Sequence, residues 1–103
     1  VTLADTLWRR LRGLSGRSGL AEGEGLMLVP CRAVHMFGMR FPIDVAFLDR
    51  DGTVVATYPS LGPGARTRYH REARSALELP AGTLDATGTR AGDTLHWSAE
   101  EAP

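Results

Sequence analysis

Ile43-Asp44-Val45-Ala46-Phe47-Leu48, then Asp49-Arg50-Asp51-Gly52, then Thr53-Val54-Val55-Ala56-Thr57-Tyr58 is the stretch that decides the fold. Its first six residues are apolar on both faces of an extended chain except at Asp44, the pattern of a strand covered on both sides. Asp49 to Gly52 supplies turn chemistry, with Gly52 suited to the left-handed position after a type I turn. Thr53 to Tyr58 then returns as a second strand. The reading is an antiparallel hairpin of 43–49 with 53–58.

Downstream, Pro59, Gly62, Pro63 and Gly64 mark 59–68 as a long loop, and His70 just beyond it reads as a surface loop residue. Ala76 to Leu79 reads as a strand with Leu77 and Leu79 on one face and Glu78 on the other. Ala81 to Thr87 suits a short helical turn, and Thr94 to Ser98 a last strand with Leu95 and Trp97 inward. Upstream, Leu26 to Val29 reads as a buried strand stopped at Pro30. Ala33 to Phe37 is a short extended segment, with His35 and Phe37 on one face and Val34 and Met36 on the other. Before the glycines at 13–25, Leu3, Leu7, Leu11 and Leu14 fall on one stripe of a helix. That spacing predicts an amphipathic helix over 3–12. The class that results is α+β: one compact domain over 1–103, mainly antiparallel β as a small barrel or curved sheet, with one N-terminal amphipathic helix.

Composition narrows the function. The 103 residues suit one domain, and 43% apolar content supplies a core without disulfide or metal. All twelve basic residues are Arg, balanced by twelve Asp and Glu. Lys, Asn and Gln are absent and Ile43 is the one isoleucine, a composition expected of a GC-rich genome. The arginines are scattered along the chain. The neutral balance argues against a nucleic-acid binder working by phosphate neutralisation. No apolar run approaches the roughly 20 residues of a membrane-spanning helix. A lone Cys31 forms no internal disulfide and fixes no redox compartment. No signal peptide is visible, and the location, cytoplasmic or exported, stays open.

Three sets of residues could carry chemistry. Asp44 inside an apolar strand must be paired, by backbone N–H groups or by Arg40 beyond Pro42, because an unpaired buried carboxylate costs several kcal/mol. With His35 and Glu78, Arg40 and Asp44 could line a shallow polar pocket for a small polar ligand or a peptide terminus. Cys31, His35 and Met39 are soft donors of the kind Cu(I) takes, but Met36 and His35 point to opposite faces of an extended segment. No resident metal or cofactor is expected. Cys31, His35 and Asp44 are also the residue types of a thiol hydrolase or transferase, without a nucleophile elbow or an oxyanion loop. A third reading is an accessory piece of an envelope or secretion assembly presenting an apolar patch. The ligand-binding, non-enzymatic reading leads, for a monomer with an unidentified small-molecule or protein partner.

Pro30-Cys31, Val34-His35, Gly38-Met39-Arg40-Phe41-Pro42-Ile43-Asp44-Val45 and Phe47-Leu48-Asp49 form a specific run. Leu77-Glu78-Leu79-Pro80-Ala81-Gly82 and Gly92-Asp93 follow it, and Arg12-Gly13-Leu14 and Gly16-Arg17 precede it. On these motifs the chain resembles the domain of unknown function 192 family, also called uncharacterised protein family 0127. The resemblance implies a small α+β domain dominated by antiparallel strands, from a bacterial or archaeal family with many exported members and no established reaction. The chain departs from a common pattern of that family, a Trp-Met-Lys-Asn-Thr segment before the Asp strand. Here Gly38 stands where the Trp often is and Met39 leads directly to Asp44, so a role tied to the Asn-Thr pair does not carry over.

Overall fold

The computed structural model describes the backbone of residues 7–16 and 25–101, and side chains over 25–95. The elements are β1 (Leu7–Gly16), β2 (Gly25–Val29), β3 (Ile43–Leu48), β4 (Val54–Leu61), β5 (Ser75–Pro80), α1 (Thr83–Thr87) and β6 (Leu95–Glu101). The strands form one sheet in the order β4-β3-β5-β2-β1-β6. Every pairing in it is antiparallel.

The expected hairpin is β3 with β4. Its turn is built by Asp49. The Asp49 carbonyl accepts the Gly52 N–H at 3.1 Å, and its carboxylate Oδ1 accepts the N–H groups of Asp51 and Thr53 at 2.8 and 3.0 Å. Gly52 has φ 83°, the left-handed region in which a glycine carries no Cβ penalty. β4 runs on to Leu61, into the stretch read as loop. Register slips by one place between Ile43 and Val45, where Pro59 and Ser60 bulge out of the ladder.

The sheet curls. The stretch leading into β6 returns to the start of β4: Thr53 bridges Thr94, the Leu95 N–H donates to the Gly52 carbonyl at 2.9 Å, and the Val54 N–H donates to the Asp93 carbonyl at 2.7 Å. The two ends of the strand order thus meet at one corner, which gives the barrel-like closure. The inner face collects Met27, Ala46, Leu48, Val54, Leu77, Leu79, Leu84 and Leu95. The outer face of β2, β3 and β5 carries Leu28, Ile43, Val45, Phe47 and Ala76, covered by Cys31, Val34, Met36, Leu61 and Ala73. β3 is therefore buried on both faces along its whole length, as its near-continuous apolar run requires. In the segment before it Val34 and Met36 point inward, while His35 and Phe37 are exposed.

The N-terminal leucine stripe is overridden. Residues 1–6 lie outside the described residues, and from Leu7 the chain is strand where the spacing predicts helix. β1 is paired on both sides, to β2 and to β6. A ten-residue helix is marginal on its own, and two ladders of backbone hydrogen bonds outweigh its periodicity. Among the described residues the helical content lies in α1, within the span read as a helical turn. The inward placement expected for Trp97 lies outside the described side chains.

Gly52→Val should lower stability by about 1 kcal/mol or more, because a β-branched residue resists positive φ. Urea unfolding checks it: a lower midpoint with an unchanged slope is expected.

Candidate functional site

Asp44 and Leu79 are register partners on the inner face, while Val45, Glu78 and Leu26 form the neighbouring row on the outer face. The two strand carboxylates therefore point to opposite sides of one sheet, one residue apart in register.

Asp44 is fully buried, and both of its oxygens are occupied. Oδ1 accepts the Ser60 N–H at 2.8 Å, and Oδ2 accepts the Leu84 N–H at 2.7 Å. The second bond replaces a cap. α1 begins after Gly82, whose own position offers no side-chain cap, so its second-residue amide is satisfied from β3. The first bond holds Ser60 at φ 50°, a left-handed conformation uncommon for a residue with a Cβ. Backbone amides rather than Arg40 hold the carboxylate. Arg40 is exposed and, among the described residues, makes no ion pair with it.

Glu78 is in the opposite condition. It is 9% exposed, and its Oε2 is buried with no hydrogen-bond partner. Burial pushes its carboxyl up from the ordinary 4.5 to about 7. It lines a groove of about 430 Å³ with Gly25, Leu26, Met39, Phe41, Ile43, Leu79 and Pro80. The Phe41 ring is 60% exposed and Leu26 is 37% exposed, so the walls present apolar surface to solvent. Gly25 is required by close packing: a Cβ there would stand 2.9 Å from the Glu78 carbonyl oxygen and 2.8 Å from Leu79 Cδ2.

The remaining sequence candidates disperse. His35 is exposed and stacks on Phe37, ring centroids 6.0 Å apart. Cys31 is buried, its Sγ donates to the Ala33 carbonyl at 3.1 Å, and burial pushes its thiol pKa up. Asp44 spends its oxygens on the inner side of the sheet. A Cys31–His35–Asp44 relay is thus not assembled. Among the described residues no cluster of three His, Cys, Asp or Glu is placed to hold a metal. His70, read as a surface loop residue, is half-buried. Its Nε2 lies 2.7 Å from the Tyr58 hydroxyl, which also accepts the Arg68 N–H at 3.2 Å. Phe47 packs 4.7 Å from the same ring. Burial, then Arg68, lower the His70 pKa.

Of the four residues expected to share a pocket, only Glu78 lines this groove. Phe41 and Leu26 escaped the sequence reading because their role depends on β2 lying beside β5. The signal available for Phe41 was its position immediately before Pro42 and the buried strand.

Fold and site together define a small curled antiparallel domain with an apolar groove beside a buried carboxyl oxygen that has no hydrogen-bond partner. The chain belongs to the DUF192 family, described as uncharacterized ACR, whose model matches residues 1–97. A UPF0127 protein from Thermococcus sibiricus is 30% identical over an alignment 109 positions long, covering 98% of this chain and 68% of that one. A crystal structure of a protein of unknown function from Novosphingobium aromaticivorans superposes with a TM-score of 0.67 at 15% identity. It covers 94% of this chain and 91% of the other, and shows the shared fold.

Two outcomes follow for the two carboxylates. Asp44→Ala strands two amides and should cost about 2–4 kcal/mol. Asp44→Asn should also destabilise, by at least about 1 kcal/mol, since its amide nitrogen would face an N–H donor. Chemical denaturation of both variants checks this, and an Asn variant as stable as the parent would remove the two-acceptor role. For Glu78 the folded state holds the proton more tightly. Its contribution is fully present below pH 4.5 and lost as pH rises through about 7. Glu78→Gln should flatten that part of the stability–pH curve by about 1–2 kcal/mol, after allowance for solvent reaching the groove.

Proposed function

We propose that the domain binds a small ligand or a peptide segment in the Glu78 groove, as a binding module. The occupant has an apolar body that lies against Leu26, Met39 and Phe41, and one hydrogen-bond donor that the carboxyl receives. The observation that carries this reading is the unpartnered Oε2 of Glu78 in that groove. A buried polar atom without a partner costs about 1–3 kcal/mol, and a donor brought by a ligand recovers it. The volume of about 430 Å³ suits a small molecule or a few side chains. Arg40, in the chain between two wall residues and exposed, supplies charge beside the entrance. His35 and Asp44 take no part.

Phenethylamine is a suitable probe, having an apolar ring and one ammonium. Titration followed by amide NMR at pH 8, where Glu78 is mostly ionised, should shift Leu26, Met39, Phe41 and Ile43. Glu78→Gln should weaken the affinity about tenfold, the loss of one charge-assisted hydrogen bond. Shifts spread over the surface, or an affinity indifferent to Glu78→Gln, would overturn the reading.

A further inference from the structure

A second surface stands apart from the groove. The segment 31–36 runs antiparallel to 65–70 as a two-stranded ribbon. The Met36 N–H donates to the Ala65 carbonyl at 2.8 Å and the Thr67 N–H to the Val34 carbonyl at 2.9 Å, and His35 bridges Arg66. This pairing gathers arginines that are scattered in sequence. Arg32, Arg66, Arg68 and Arg71 are all exposed, and Arg32 Nε donates to the Arg71 carbonyl at 3.3 Å across the end of the ribbon. Glu72 is the one acidic residue within 65–74. The acids Asp49, Asp51, Asp85 and Asp93 sit elsewhere, at the hairpin turn and around α1. Two paired segments thus bring together four of the twelve arginines, with Glu72 the one acid within 31–37 and 65–74.

The paired segments and their ends also expose two aromatic side chains. Phe37 is 73% exposed and Tyr69 66% exposed. Phe37 and His35 share a side of their arm and stack, and Arg66 lies across the bridge from His35. Val34 and Met36, on the opposite side, anchor the ribbon in the outer core. The side chains outside are therefore presented by a fixed backbone, and among the described residues the His35–Phe37 stack is the one ring contact that Phe37 and Tyr69 make.

We propose that this ribbon docks on an anionic lipid bilayer, with Arg32, Arg66, Arg68 and Arg71 on the headgroup phosphates and Phe37 and Tyr69 sunk into the interface. Guanidinium groups suit phosphate oxygens by their forked geometry. Exposed rings between cations suit the headgroup level, where aromatic side chains gain from partial dehydration while polar atoms stay wet. One face of Phe37 is already taken by His35, which suits insertion better than stacking of a nucleic-acid base. The proposal is independent of the groove.

The test is co-sedimentation with vesicles, using the full chain. Vesicles of phosphatidylcholine with about a third phosphatidylglycerol should retain the protein at low salt, and pure phosphatidylcholine should not. Arg66→Ser with Arg68→Ser should weaken retention about 25-fold, since each arginine near an anionic surface is worth about fivefold. Phe37→Ser with Tyr69→Ser should remove the part of the binding that survives high salt, where screening suppresses the charge term. All four side chains are exposed, so the unfolding midpoint of each variant should match the parent, which separates a lost surface from a lost fold. Equal retention on neutral vesicles, no loss in the arginine variant, competition by millimolar inorganic phosphate, or tighter binding of a single-stranded oligonucleotide than of the vesicles would each overturn the proposal.

Discussion

The carboxylate of Asp44 ties three separate pieces of the chain into one frame. It is the second residue of β3, yet its two bonds reach Ser60 of β4 and Leu84 of α1. One holds a bulge in the edge strand, and the other seats the short helix over one end of the inner core, where Leu84 packs with Leu79 and Leu48. A five-residue helix has too few internal hydrogen bonds to hold itself. Its position is set from outside, by this carboxylate and by the burial of Leu84. Polar groups in a core are stabilising only when fully satisfied, and this one is.

A single residue pair makes the contrast that gives the domain its candidate site. Asp44 faces inward with both oxygens bonded; Glu78, in the next row of the same ladder, faces outward with one oxygen unbonded. The strand period of two places them on opposite sides, so one carboxylate serves the fold and the other reaches the groove. Burial raises the proton affinity of the Glu78 carboxyl, and its contribution to stability is lost as the pH rises through about 7. A folded protein carries few buried polar atoms without partners, and each asks for an explanation. On the proposed function, an occupant of the adjoining groove supplies that partner.

The hairpin was legible because its signals are local: an apolar six-residue run, an Asp to accept the turn amides and a Gly at the left-handed position. The alternation of Val34 and Met36 against His35 and Phe37 was legible for the same reason. The burial of Asp44 followed from its neighbours, but its partners did not, since Ser60 and Leu84 come to it through the bulge and the helix. β1 was misread because leucines at helical spacing are also leucines a strand can use, and what decides between them is pairing with β2 and β6. The groove and the basic ribbon were invisible for one shared reason. Both are made by segments far apart in sequence, β2 with β5 in one case and 31–36 with 65–70 in the other. Glu78 could be picked out as a strand carboxylate. That its companions are Phe41, Met39 and Leu26 rather than His35, Arg40 and Asp44 is a fact of register.

The most direct measurement is a pH titration of the Glu78 side-chain carboxyl by carbon NMR, alone and with phenethylamine present. The account predicts a midpoint near 7 for the free protein. With the amine bound the midpoint should fall, because a cation beside the carboxyl favours its ionised form. A free-protein midpoint near the ordinary 4.5, or one unmoved by saturating amine, would contradict a buried and unpaired acid waiting in the groove.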